Sequence, residues 1–211
     1  GSDTIIGGEG GTDNDLIDLS SHTGPVTVTF TGPEEGTITD GVDTLDFSEI
    51  ERFILTDQAD LFDATLDSAG VVVDAADGND TVYTGTGADS VALGDGSDTV
   101  VGSIGADTLD GGTGFDEANY FSSDAGVNID LSDSVAESGG WAQGDSLSGF
   151  EEIDGSNAYG DTITADDSGM RIYGHGGDDN LTGGAGDDSL SGGEGADTLT
   201  GADGADTLEG G

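Results

Sequence analysis

Aspartate recurs at nine-residue intervals through the middle of the chain, at Asp80, Asp89, Asp98, Asp107 and Asp116, and a glycine precedes each by two positions: Gly78, Gly87, Gly96, Gly105 and Gly114. Toward the other end Asp161, Asp179, Asp188, Asp197 and Asp206 keep to multiples of the same interval. One carboxylate in a polar turn does little. Carboxylates brought into register repel one another unless a cation lies between them. Oxygen-only donors, carboxylates with glycine-rich backbone carbonyls, suit a hard cation that takes about six to eight ligands, which is calcium.

Bringing them into register falls to the residues between. Residues 75–119 divide into five nonapeptides: AADGNDTVY, TGTGADSVA, LGDGSDTVV, GSIGADTLD and GGTGFDEAN. The first six positions of each are mostly Gly, Asp, Asn, Ser and Ala, residues of tight turns and of positive φ. The last three alternate outward, inward, outward, as in Thr81-Val82-Tyr83, which predicts a very short strand. Such a strand cannot fold alone. Stacked, the strands bury a continuous row, Val82, Val91, Val100, Leu109 and Ala118, then Leu181, Leu190, Leu199 and Leu208. Two nonapeptides on opposite sides make one 18-residue coil, so like turns stack at about 4.8 Å. The carboxylate pairs are then Asp80/Asp98, Asp89/Asp107, Asp98/Asp116, Asp161/Asp179, Asp179/Asp197 and Asp188/Asp206. Met170 stands at an aspartate place, so one turn of the last block should bind weakly or not at all.

GGTGFDEAN at 111–119, GGAGDDSLS at 183–191 and GGEGADTLT at 192–200 resemble the RTX, or hemolysin-type, repeat GGxGxDxUx. The resemblance implies an all-β fold, a parallel β-roll (a β-solenoid) with several calcium ions held between turns. It also implies backbone ligands, from the second and fourth positions of one turn and the first and third of its stacked partner. These are Ala76 and Gly78 with Leu93 and Asp95; Gly85 and Gly87 with Gly102 and Ile104; Gly94 and Gly96 with Gly111 and Thr113. In the last block they are Gly177 with Gly192 and Glu194, and Gly184 and Gly186 with Gly201 and Asp203. The resemblance further implies a secreted or cell-surface bacterial protein, exported unfolded by a type I secretion channel, with a structural or adhesive role. The alternative is the accessory C-terminal region of a secreted enzyme such as a protease, lipase or alginate epimerase.

Composition agrees. Among 211 residues, 46 acidic side chains face two basic ones, Arg52 and Arg171, for a formal net charge of −44. Nucleic acid and anionic membranes are repelled by such a chain. Low hydrophobicity with high charge predicts disorder, and strict periodicity predicts folding; both hold if metal binding and folding are one equilibrium. Without cysteine there are neither disulfides nor thiolate sites. No apolar run reaches membrane-spanning length. His22, ahead of a Gly-Pro turn, and His175, in place of a repeat glycine, read as turn residues, and no nucleophile elbow or EF-hand loop is present, so no enzyme is expected.

The repeat lapses twice. The expected organisation is a partial repeat block over 1–18, with Asp13 where glycine is usual and Asp15 as its ligand-type residue, then a spacer over 19–59, a block over 60–119, a second spacer over 120–160 and a block over 161–211, all in one elongated solenoid. The spacers correspond to each other: Val127–Leu131 matches Val26–Phe30 at an offset of 101, and Phe150-Glu151-Glu152-Ile153 matches Ile50-Glu51-Arg52-Phe53. They are expected to be wide, metal-poor coils with a projecting hairpin. Otherwise they are recognition surfaces, with Trp141, Tyr120 and Phe121 offered to an extracellular glycan or surface partner. A monomer is expected. The first residues read as the tail of a nonapeptide and the last two as the start of one, as in a fragment of a longer repeat protein.

Overall fold

A computed structural model describes residues 3–8, 14–132 and 135–211. Asp13 lies outside the described residues. The out–in–out segments are strands, and their partners are 18 residues away: Val82 pairs with Val100 and Val100 with Ala118 on one side, Val91 with Leu109 on the other. The fold is the all-β parallel β-roll that the repeats predict, with no α-helix among the described residues. The inward row is buried where coils lie on both sides, Val82, Val100, Leu109, Ala118 and Leu181 being at most 1% exposed. Leu208, on the last strand, remains 47% exposed.

One side of the roll is a single twelve-stranded sheet. Its order is Asp3–Ile6, Thr44–Ser48, Glu35–Thr39, Thr27–Gly32, Leu61–Asp63, Thr81–Tyr83, Thr99–Val101, Glu117–Asn119, Glu152–Asp154, Arg171–Tyr173, Ser189–Ser191 and Thr207–Glu209. The opposite side is divided. Leu16–Asp18, Arg52–Ile54, Val72–Asp74, Ser90–Gly96, Thr108–Gly114 and Ser146–Ser148 form one sheet, with Asp77–Gly78 paired beside Ser90–Gly96. Asn128–Asp130, Thr162–Thr164, Asn180–Thr182 and Thr198–Thr200 form another.

The first spacer's hairpin does not project. Thr27–Gly32 runs antiparallel to Glu35–Thr39, which runs antiparallel to Thr44–Ser48, and all three lie within the twelve-stranded sheet. Pro33 and Glu34 form the turn; Glu34 adopts φ 56, the left-handed value that a second central turn residue takes when proline precedes it. The reason for the inlay is packing. The hairpin strands bury Val28, Phe30, Ile38 and Phe47, and the rings of Phe30, Phe47, Phe53 and Phe62 meet edge to face at 5.1–5.7 Å. A projecting hairpin would leave that face in water. Phe53→Ala, at a position 1% exposed, is expected to destabilise the calcium-loaded chain by about 3–5 kcal/mol, read from urea unfolding. The second spacer has Leu131, Ile153 and Ile163 at the corresponding places, and among the described residues its hairpin is a single antiparallel bridge, Asn128 with Ser138, followed by a 3-10 turn at Gly140–Ala142.

Candidate metal centres

Each repeat turn delivers its aspartate to the same place, and backbone hydrogen bonds hold it there. The N–H of one aspartate donates to Oδ1 of the aspartate 18 residues on: Asp80 to Asp98 at 2.7 Å, Asp89 to Asp107 at 2.9 Å, Asp98 to Asp116 at 2.9 Å. The last block repeats this with Asp161 to Asp179 at 2.8 Å, Asp179 to Asp197 at 3.0 Å and Asp188 to Asp206 at 3.1 Å. All six pairs read from the spacing are therefore stacked neighbours. Met170, lacking a carboxylate, still donates its N–H to Asp188 Oδ1 at 2.8 Å and is 1% exposed.

The second carboxylate oxygens divide the turns into two kinds. Oδ2 of Asp80, Asp98, Asp107, Asp116, Asp179 and Asp197 is buried and has no hydrogen-bond partner. In contrast, Oδ2 of Asp89 accepts the Gly85 N–H at 3.1 Å, and Oδ2 of Asp188 accepts the Gly184 N–H at 2.9 Å. Backbone conformation accompanies the division in every turn but that of Asp107, whose second residue, Ser103, is not left-handed. Ala76, Gly94, Gly112, His175 and Gly193, at the second position of the turns that carry Asp80, Asp98, Asp116, Asp179 and Asp197, all have left-handed φ, from 68 to 103. Gly85 and Gly184 do not, and their N–H groups reach the carboxylate. Asp161 is engaged more fully still: Ser156 N–H and Oγ and Val127 N–H donate to it.

Buried anionic oxygens without donors are costly, and the acidities reflect this. Burial, reinforced by the neighbouring carboxylates Asp98 and Asp60, pushes Asp80 up to about 7; burial with Asp145 and Asp89 pushes Asp107 to about 7. Burial raises Asp116 and Asp161 to about 6, and raises Asp89, Asp98 and Asp179 as well. A divalent cation there would supply the missing countercharge.

The backbone oxygens named from the repeat sit as follows. The carbonyls of Gly78, Gly87, Gly96, Gly177 and Gly186 face the fourth-position glycine of the next coil, so closely that a Cβ there would collide with them. Ala76 and Gly94 carbonyls similarly face Gly94 and Gly112. Gly192 and Gly201 carbonyls lie beside Gly174 and Gly183, next to Oδ2 of Asp179 and Asp188. Several of these oxygens also accept ladder hydrogen bonds: Ala76 from Asp95, Gly184 from Asp203, Glu194 from Gly177 and Gly85 from the Ser103 hydroxyl. Asp95 and Thr113 pair along the turn, and Leu93 turns its side chain into the core. Gly102 packs on the Tyr120 ring, Gly111 lies against Asp116, and Ile104 is exposed.

A carboxylate column of this kind is decided by its oxygens and its period together, and both match one family. The RTX calcium-binding nonapeptide repeat matches in four copies, at residues 72–100, 83–118, 156–190 and 173–208. This is an RTX chain. No curated protein matches it. The RTX repeats make it a calcium-binding β-roll module of a bacterial protein, and the unpartnered Oδ2 atoms fit the ion that the family binds. The residues that would hold calcium are the stacked aspartates with the turn carbonyls; a bound ion supplies countercharge and joins one coil to the next.

Some participants carry no nonapeptide signature. Asp60 closes the first column, its carboxylate accepting from Val26 N–H and from Thr56 N–H and Oγ1, as Asp161 does from Val127 and Ser156. Asp145 continues the Asp89–Asp107 column, accepting Asp107 N–H at 2.9 Å and the Tyr120 hydroxyl at 2.7 Å. Tyr120 is thus a fully buried donor and is withdrawn from the solvent-facing role proposed for it; Phe121 stacks edge-on against His175, and only Trp141 borders an open groove, with Tyr83, Val101 and Ile104. Glu117, Glu152 and Asp154 place carboxylate oxygens within 4.8 Å of one another on the outer face of the twelve-stranded sheet, where Arg171 lies 3.6 Å from Glu152 and His175 Nε2 3.3 Å from Asp154.

Proposed function

We propose that this chain is a structural segment of a secreted or cell-surface protein that stays unfolded at cytosolic calcium, leaves the cell by type I secretion and folds outside. The observation that supports it is the column of buried aspartates whose Oδ2 atoms have no protein donor, in a chain of net charge −44. Without countercharge the folded state carries that repulsion; with millimolar calcium it does not. Extracellular modules bind calcium at roughly 10⁻⁴–10⁻³ M, above cytosolic levels. Its role is mechanical or adhesive, as a monomeric spacer. Far-UV circular dichroism tests this. In EGTA the spectrum is that of a disordered chain, and millimolar calcium produces the β spectrum; a spectrum equally folded in EGTA ends the reading.

A second reading attaches to the groove beside Trp141 and Tyr83, where an extracellular glycan would stack on the aromatic rings. A glycan array with Trp141→Ala as control decides it. The third reading, an accessory region of a secreted protease, lipase or alginate epimerase, is decided by the sequence of the host protein.

A further inference from the structure

Where the second repeat block ends, the next nonapeptide is missing, yet the column of acids continues. Asp116 N–H donates at 2.9 Å to Glu151 Oε2, 35 residues on, in the way that Asp98 N–H donates to Asp116. Asp116 is 0% exposed, and its Oδ2 has no partner. The glycine geometry of a repeat turn is reproduced as well. In the repeats the first glycine, such as Gly174, lies against its own aspartate and the first carbonyl of the next coil, Gly192. Here Gly111 lies against Asp116 and the carbonyl of Gly149, and the Gly112 carbonyl faces Gly149 in turn. Gly149 therefore stands opposite Gly111, at the first-glycine place of the missing turn, with the left-handed φ of 69 that the repeats keep for their second position. From that place to the acid the repeats use five residues, Gly192 to Asp197, whereas the spacer uses two, Gly149 to Glu151. The longer glutamate side chain spans what the shortened loop does not.

The first spacer repeats the frame, except that Oδ2 of Asp15 accepts the Gly8 N–H. Asp15 N–H donates to Glu51 Oε2 at 2.8 Å, and the Glu49 carbonyl, from a residue at φ 59, lies against Gly7 beside Asp15. Its flanking bonds are duplicated too. Val72 N–H donates to the Glu51 carbonyl and Arg171 N–H to the Glu151 carbonyl, both at 2.8 Å. Two copies built from different surrounding residues argue for a selected arrangement. Asp145 makes the contrast: it also continues a column, but the Tyr120 hydroxyl takes its second oxygen.

We infer that Asp116 and Glu151, with the Gly112 and Gly149 carbonyls, form a calcium site outside the nonapeptide pattern that fastens the second spacer to the repeat block; Asp15 and Glu51 repeat its backbone frame in the first spacer. This rests on the calcium reading of the repeat turns. The donors are all oxygen, two carboxylates and two carbonyls, which selects a hard cation. Trp141, the sole tryptophan, lies in the same spacer and reports on its order.

Isothermal titration with calcium on the whole chain, beside Trp141 emission, is the test. Glu151→Gln keeps the acceptor for Asp116 N–H and removes the charge; about one ion per chain is lost, and the calcium-dependent change in Trp141 emission weakens. Glu35→Gln, an exposed hairpin acid, loses none. Asp116→Asn loses about two ions, since it also serves Asp98. An unchanged stoichiometry for Glu151→Gln, with calcium bound by the parent chain, overturns the inference alone; no calcium bound by the parent overturns the reading beneath it. Should Glu151→Gln fail to fold, calcium anomalous scattering from crystals of the parent decides: a peak between Asp116 and Glu151 upholds the site, and peaks at Asp80/Asp98 without one there overturn it.

Discussion

Asp98→Ala removes about two calcium ions per chain, and Asp80→Ala about one. Asp98 is the middle member of its column, its Oδ1 accepting Asp80 N–H and its own N–H donating to Asp116 Oδ1, so its carboxylate would border an ion on each side. Asp80 also has two acidic neighbours, but Asp60 on its far side already accepts from Val26 and Thr56 and needs no cation. The loss at Asp98 should also cut the coil ladder at its centre, broadening the calcium-induced folding transition in repeat arrays, where stability is a sum of neighbour interfaces. Calcium content after equilibrium dialysis, measured by atomic emission, gives the count. Equal losses in the two variants would contradict the 18-residue coil.

Acid and calcium act in opposite senses on this chain, depending on which is present. In metal-free buffer the folded carboxyls of Asp80 and Asp107 titrate at about 7, and those of Asp116, Asp145 and Asp161 at about 6, all above the usual carboxylate value. A folded value raised above the unfolded one means that the folded state binds protons more tightly. Its contribution to stability is complete below pH ~4 and is lost as pH rises through ~6–7. The EGTA-treated chain is therefore expected to gain β structure on acidification from pH 8 to pH 5. With calcium the sign reverses, because ligand carboxylates must shed those protons first. Below pH 6 the affinity falls by up to about tenfold per pH unit for each proton displaced. Circular dichroism against pH, with EGTA and at fixed calcium, gives the two opposed slopes; parallel slopes would show that the buried aspartates are not the coupled groups.

Periodicity made the repeat blocks legible because a nine-residue cycle dictates both the inward residue and the stacked acid; Val82, Val100 and Leu181 needed nothing else. The spacers were harder for a physical reason. Phe30, Phe47, Phe53 and Phe62 come from four strands and make one aromatic cluster, and only their joint burial draws the hairpin into the sheet. The spacing also cannot tell which aspartates keep a free oxygen. In all of those turns but that of Asp107 the second turn residue is left-handed, as at Ala76 and His175, where the residue type argues against it. Glu51 and Glu151 were visible as matched residues of the duplication, but an acid two residues after a turn carries no nonapeptide signature. Thr56 and Ser156, which satisfy Asp60 and Asp161, are likewise ordinary in sequence and decisive in space.

The twelve-stranded sheet is unbroken while its opposite face is divided at Ser146–Ser148 and Asn128–Asp130. Strands lie across the stacking direction, so backbone hydrogen bonds run along it and take up tension in series. One flank then behaves as a strap and the other as two plates meeting at a crease. A pull between the ends is carried along the strap, and bending opens the crease. A protein held by one end in flowing fluid would yield there, while its coils stay closed.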